Sequence, residues 1–306
     1  MTRPIIGITS VIGYCVVTAL SSLVISASEQ TYGPLLVTFS SITVTIIWFN
    51  GLQLMRISRL REVYLNHSRG IFLLNMTTAM MWIGTFLALD SLNPDVFTAI
   101  LLGGLPVFIF IITSASSAWN KARCLELLFT IAIAGLLFMI SYHELALSNY
   151  SSEILLGMII AFFSSFFAAW TVILSHQLAH AGVSTTEILS QRFYVLWLVA
   201  GLALCIFPAS FSFVHSMIID YFPIAIAVAI LSFILPLFLL QKGIERVDPM
   251  FVSFLSPLIP VMAFSLEMFS DRYVFDPIEM CLLIALALVI IGAAIVKVLS
   301  QESQSK

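Results

Sequence analysis

Ten blocks of apolar residues run along the chain, each about 20 residues long and bounded by short polar stretches. They cover 5–26, 34–54, 70–89, 94–115, 123–141, 153–176, 187–207, 223–241, 249–270 and 277–298. A helix rises about 1.5 Å per residue, so about 20 residues cross the roughly 30 Å hydrocarbon core of a bilayer. No block alternates apolar and polar positions with a period of two, as the strands of a membrane barrel would. The pattern therefore predicts helices, which satisfy their own backbone hydrogen bonds in lipid. Pro34, Pro94, Pro223, Pro249 and Pro277 stand at the starts of five blocks. Proline suits a first helical turn, where its missing N–H is not needed.

Composition makes lipid the expected solvent. Of 306 residues, 60% are hydrophobic and 9% charged, against about 25% charged in a soluble domain. A soluble protein of this size would lack polar cover for so much apolar surface. The blocks leave only short connections and no room for a second folded domain. The first block is longer than a signal-peptide core and lacks a small-residue cleavage site, so it is expected to be a retained span. Cys15, Cys124, Cys205 and Cys281 are isolated and form no CxxC pair, which argues against a disulfide framework or a zinc site. The net charge of −3, without a long basic run, gives no sign of a nucleic-acid partner.

Lys and Arg set an orientation. With both termini in the cytoplasm, Arg3, Arg56, Arg59, Arg61, Arg69, Lys121, Arg123, Lys242, Arg246, Lys297 and Lys306 fall inside. Arg192 lies near the inner end of its block, and only Arg272 falls outside. This obeys the positive-inside rule and requires an even number of spans. Most tyrosines fall at block ends, where amphipathic rings favour the headgroup layer; Tyr14 and Tyr194 do not. The connection 208–222, with Phe211, Phe213, Met217 and Ile218, is expected to lie along the interface.

The two halves look alike. Leu92-Asn93-Pro94 matches Val247-Asp248-Pro249, and Leu105-Pro106-Val107 matches Ile259-Pro260-Val261. Five spans per half make the second copy inverted, an arrangement that places a solute site near mid-membrane between the repeats. Pro106 and Pro260 fall near the middle of their blocks, where proline frees a carbonyl and kinks a helix. Gly103 and Gly104 flank the first, and Ser256 and Pro257 precede the second. Gly103, Gly104, Pro106, Pro257 and Pro260 are therefore candidate hinge residues. The expected fold is all-α: a polytopic membrane protein with ten transmembrane helices in two inverted five-helix repeats, 1–145 and 150–300, and a cytoplasmic tail, 301–306.

The stretches Leu155–His176 and Gln241–Glu267, the Asp271-Arg272 turn and the glycine-bearing last block with Gly292 resemble the drug/metabolite transporter superfamily, specifically the EamA-like ten-helix permeases. Gln191-Arg192-Phe193 resembles the arginine found in the second helix of each repeat. The first half departs from the pattern: Ser40-Ser41 stands where that arginine would be, and Asn120-Lys121 replaces the acidic-Arg turn. The resemblance covers nearly the whole chain. It implies ten helices around a central cavity and export of metabolites, amino acids or drugs. It hardly constrains the substrate.

Ionisable groups inside spans are functional candidates, because burying charge in lipid is expensive. Arg192 reads as an anion contact for a carboxylate-bearing substrate, as a pair with an acid, or as a cation snorkelling to the headgroups. Glu267 is a candidate coupling group together with Arg192, or else a hydrated surface carboxylate. Glu126, Glu187 and Glu279 stand in first turns, where they suit the helix dipole. A second set is polar or aromatic: Tyr14, Asn75, Thr78, Trp82, Ser164, Trp170, Tyr194, Ser232 and Ser256. These are candidate substrate-binding residues, or else helix–helix contacts. His176 and His180 have chelating spacing, but no third ligand is apparent in the sequence.

The chain carries no phosphate-binding loop, no HExxH, no GxSxG and no dinucleotide fingerprint. No enzyme activity and no cofactor are expected. The leading reading is a secondary transporter working by alternating access in a bacterial inner membrane. Its expected partners are a small-molecule solute and the lipid bilayer, with protons and a second copy of the chain as candidates. An intramembrane enzyme acting on a lipid or isoprenoid, and a non-transporting scaffold, stay open as alternatives.

Overall fold

The computed structural model describes residues 2–32, 34–92, 94–114, 119–147, 151–206, 223–267 and 276–304, with backbone alone at some positions, including Glu144, Glu267 and Glu279. Asn93, residues 208–222, expected to lie along the interface, Asp271, Arg272 and Lys306 lie outside the described residues. The elements are α1 (Thr2–Tyr32), α2 (Pro34–Gln53), a 3-10 turn (Leu54–Arg56), α3 (Ile57–Leu89), α4 (Pro94–Ser114), α5 (Lys121–Leu147) and α6 (Ser152–His180). Then follow α7 (Thr185–Gln191), α8 (Tyr194–Ile206) and α9 (223–228), which runs into a π-helical turn (Ala229–Ile234). Last come α10 (Leu235–Ile244), α11 (Pro249–Leu255), α12 (Leu258–Glu267) and α13 (Pro277–Gln304). No strand occurs among the described residues. Among the described residues, seven helical stretches are long and apolar enough to cross a membrane, and Ile5–Ser21 and Pro249–Ala263 are shorter apolar helices. This fits an integral multi-pass membrane protein.

Three blocks differ locally from expectation. α3 begins at Ile57, so it carries a charged first half before its apolar part; a non-helical residue, His67 (φ −124°, ψ 23°), separates the two. The block 187–207 divides at Arg192-Phe193. The block 249–270 divides at Ser256-Pro257, where Pro257 has no N–H to continue the helical ladder. Pro260 then stands in the first turn of α12, a position proline tolerates, rather than at a mid-helix kink. Its counterpart Pro106 lies inside α4, which continues through it.

The chain divides into two compact units that each combine parts of both halves. The first comprises Met1–Ala79 and Leu174–Arg246, the second Met80–Ile173 and Val247–Lys306; the cuts fall inside α3 and α6.

In the first unit α1 packs along α10, and α2 packs against α7, α8 and the π-helical turn. Lipid tails are as apolar as leucine, so helices in lipid associate through close packing rather than through apolar burial alone. Gly243 shows this: an added Cβ would collide with Val11 Cγ2 and come within 3.5 Å of the Gly7 carbonyl. A second cluster joins Val63, Ile71 and Leu74 of α3 to Leu174 and Leu178 of α6 and Ile188 of α7.

In the second unit α4, α5, α11 and α13 pack together. Gly103 lies against Leu137 of α5, and a Cβ on Gly104 would sit 2.6 Å from Ser165 Oγ. The Ser165 hydroxyl donates to the Leu101 carbonyl at 2.6 Å. The candidate hinge glycines thus sit at points of close helix contact. An ion network ties α5 to α13. Glu126, 8% exposed, accepts from Arg123 at 2.7 Å and from Lys297. Lys297 also lies 3.7 Å from Asp248, which caps α11, and the Arg123 guanidinium covers the Phe110 ring at 4.6 Å.

Removing one partner of a buried ion group leaves the others uncompensated and costs about 3–5 kcal/mol, whereas an exposed pair contributes at most about 1 kcal/mol. Glu126→Gln should therefore destabilise the detergent-solubilised protein by about 3 kcal/mol. Glu62→Gln, at the exposed Arg59 pair, should change it by less than about 1 kcal/mol. Denaturant unfolding of the two variants checks the difference.

Candidate functional site

The first unit contains an interrupted helix whose loose backbone groups are held by two asparagines. Ser184 and Glu187 begin α7 with a reciprocal capping box: the Glu187 N–H donates to Ser184 Oγ, and the Ser184 N–H to Glu187 Oε2 at 2.8 Å. The helix stops after Gln191 and restarts at Tyr194. Such a break leaves carbonyls and N–H groups without helical partners, and each costs several kcal/mol in lipid if left so. Asn50 of α2 donates to the Ser190 carbonyl at 3.3 Å and accepts from the Tyr194 hydroxyl at 2.9 Å. Asn75 of α3 donates to the Gln191 carbonyl at 2.5 Å and accepts from the Val195 N–H at 3.4 Å. One amide therefore spans the break from its last carbonyl to the first turn of α8.

Further contacts fix the elements on either side. Gln53 donates to Thr186 Oγ1 at 2.7 Å, and Arg59 lies 3.5 Å from Glu187 Oε1. Thr185 donates to Glu245 Oε2 at 2.6 Å. On α8, Trp197 donates to Thr43 Oγ1 at 2.9 Å and stacks on Phe39, with centroids 5.8 Å apart.

Arg192 stands at the break. It is 4% exposed, and its Nε donates to Thr78 Oγ1 at 3.1 Å. Its guanidinium carbon lies 5.5 Å from the Phe193 ring centre. It also lies within electrostatic range of Tyr14, a half-buried residue of α1. No carboxylate pairs with it among the described residues.

The first unit also holds polar groups without partners among the described residues. Gln241 of α10 is fully buried, and neither atom of its side-chain amide is bonded. The hydroxyls of Ser41 (α2), Ser175 (α6) and Ser232 (π-helical turn) are likewise buried and unbonded. α10 packs against α1 and α7, and the π-helical turn against α1 and α2, so these groups line neighbouring helices of one bundle.

Of the substrate-contact candidates, Tyr14, Asn75, Thr78, Arg192, Tyr194 and Ser232 belong to this unit. Thr78 and Arg192 touch directly, while Asn75 and Tyr194 are engaged in holding the helix break. Trp82, Ser164, Trp170 and Ser256 belong to the second unit. There Trp82 lies beside Phe86, and Trp170 meets Phe166 edge-on. Ser164 and Ser256 donate to the carbonyls of Ile160 and Val252 within their own helices, both at 2.9 Å. The Glu267 carboxylate lies outside the described residues. His176 bonds the Ile244 carbonyl at 2.8 Å and packs against His180. No group of three metal-ligating residues occurs among those described.

Sequence reading missed Asn50, Gln191 and Gln241. The one available signal was a carboxamide inside or at the end of an apolar block, which costs free energy in lipid unless something bonds it.

Asn75→Leu should strand both the Gln191 carbonyl and the Val195 N–H and lower stability by about 2–4 kcal/mol. Tyr194→Phe, which removes one hydroxyl from a partly exposed residue, should cost about 1 kcal/mol or less. Denaturant unfolding measures both, and amide exchange at Val195 should accelerate in the first variant alone.

No family model matches the chain, and no curated protein matches it. A solved structure described only as the crystal structure of a protein is similar in fold, with a TM-score of 0.65 at 15% identity, covering 96% of each chain. At that identity the likeness speaks for the fold.

Proposed function

We propose that the chain is a secondary transporter that carries a small solute across the membrane by alternating access. The observation that carries this reading is the buried Arg192 at an interrupted helix, in a unit that also holds buried polar side chains without described partners and in a protein that exposes many large apolar side chains. Broken helices supply backbone and side-chain polarity at membrane depth, and they are tolerated there where they line a site or are buried in protein.

A ten-span arrangement accords with the elements. The longest apolar stretch, Leu35–Leu89, has 55 residues, about 80 Å as one helix and more than two membrane thicknesses. It contains α2 and α3 joined by the 3-10 turn, so it counts as two spans. With α1 and the α11–α12 pair added to the remaining six stretches, the total is ten. An inverted repeat of the EamA-like kind is part of the same proposal and rests on the matched sequence segments. The first half gives its first two spans and part of its third to the first unit, whereas the second half gives the end of its first span and its second and third. Rocking between the two inverted repeats would give alternating access, with the Ser256-Pro257 break and the Gly103-Gly104 contact as candidate hinge points. The lysine and arginine distribution favours both termini in the cytoplasm, and the short loops suit a bacterial inner membrane. Proton coupling through Glu267 and Arg192 belongs to the same proposal.

Reconstitution into proteoliposomes tests it. Under an imposed solute gradient, members of a labelled panel of amino acids, organic anions and organic cations should show saturable flux above that of empty liposomes. Collapsing the pH gradient should slow that flux if protons are coupled. Absence of protein-dependent flux across the whole panel would sink the transporter reading.

A further inference from the structure

We infer that Arg192 is the binding group for a monocarboxylate, held at the α7–α8 break of the first unit. The inference rests on the transport reading and narrows it to a substrate class.

Charge pairing carries the argument. The described carboxylates of the first unit are Glu62, Glu187 and Glu245, and each is engaged elsewhere. Glu62 pairs with Arg59 at 3.2 Å. Glu187 pairs with Arg59 and caps α7. Glu245 accepts from Thr185 and lies 3.5 Å from Lys242. Arg192 is left as a buried cation whose described contacts are neutral: the Thr78 hydroxyl, the Phe193 ring and nearby Tyr14. Arg123 in the second unit is the internal comparison. It too is largely shielded from solvent, but Glu126 lies against it at 2.7 Å, and its Nη2 donates to Thr113 at 2.7 Å and to Ser114 at 3.1 Å. The same chain therefore neutralises one buried arginine internally and leaves the other to be neutralised by something else.

Donor geometry sets the class. Thr78 occupies the Nε donor of Arg192, and no described residue accepts from the two terminal nitrogens. Those nitrogens present paired N–H groups, the geometry that meets the two oxygens of a carboxylate. One uncompensated positive charge matches one negative charge; a dianion would leave a net negative charge in the membrane interior. The unbonded Gln241 amide on neighbouring α10 offers a neutral donor and acceptor for the remainder of such a solute.

The test titrates purified protein in detergent with benzoate, benzamide, benzylammonium and phenyl phosphate, which share one ring and differ in charge. A ligand that binds the folded form raises the melting temperature. Benzoate should give the largest rise, and Arg192→Gln should weaken it roughly tenfold or more, the loss of a charge-assisted hydrogen-bonded contact. Arg69→Gln, at an exposed arginine, should leave it unchanged. Should Arg192→Gln fail to fold, the wild-type ranking alone decides. No benzoate shift, or benzamide, benzylammonium or phenyl phosphate equalling benzoate, overturns the inference. Labelled benzoate in proteoliposomes separates it from the transport reading. Binding without flux overturns transport and leaves the carboxylate site. Flux of a neutral or cationic solute that Arg192→Gln does not alter leaves transport and overturns the site.

Discussion

The first unit depends on hydrogen bonds that close a gap in a helix where water is scarce. α7 and α8 meet at Arg192-Phe193 without a continuous ladder. In water such a break would be hydrated; in lipid the protein itself must supply the partners. Asn50 and Asn75 do so from two other helices, α2 and α3. A carboxamide is suited to this task because it donates and accepts at once, so one side chain bonds a carbonyl on one side of the gap and an N–H on the other. The same contacts place Arg192 where Thr78 can take its Nε, and so the backbone repair and the placement of the charge are a single piece of architecture.

Electrostatics divides the two units. In the second unit Arg123 and Lys297 face Glu126 and Asp248, two positive and two negative groups. That network links α5, α13 and the start of α11 and has no charge left over. In the first unit the acids are used to cap and anchor α7 and α10, while Arg192 has only neutral neighbours among the described residues. Burying a charge is tolerable when paired and expensive when not, so the two arginines stand in electrostatically different surroundings.

Matching prolines behave differently in the two halves. Pro106 is absorbed within α4, where Gly103 and Gly104 allow α5 and α6 to approach and Ser165 bonds a backbone carbonyl. Pro260 follows a second proline, Pro257, and the helix divides at that point. The helix-breaking effect of proline adds to that of its neighbours, so one proline bends a ladder and two close together interrupt it. Two segments with a common sequence pattern thus acquire different mechanical character.

Helix type and the preference for lipid were legible in the chain because they depend on local composition. Apolar blocks about one bilayer long admit few alternatives, since backbone groups must be satisfied within the segment. The start of α7 was legible in part, because Glu187 was expected in a first turn; its capping partner Ser184 lies before the apolar block that begins at 187. The site was not legible in the same way. Asn75 looked like a solute contact, yet its partners Gln191 and Val195 lie more than a hundred residues away. Arg192 read equally well as a snorkelling cation, an acid's partner or an anion contact, because those readings differ only in what faces its guanidinium. Gln241 gave no sign beyond being an amide beside an apolar run. Local periodicity says which residues enter the membrane; only the packing of distant helices decides which polar groups find partners there.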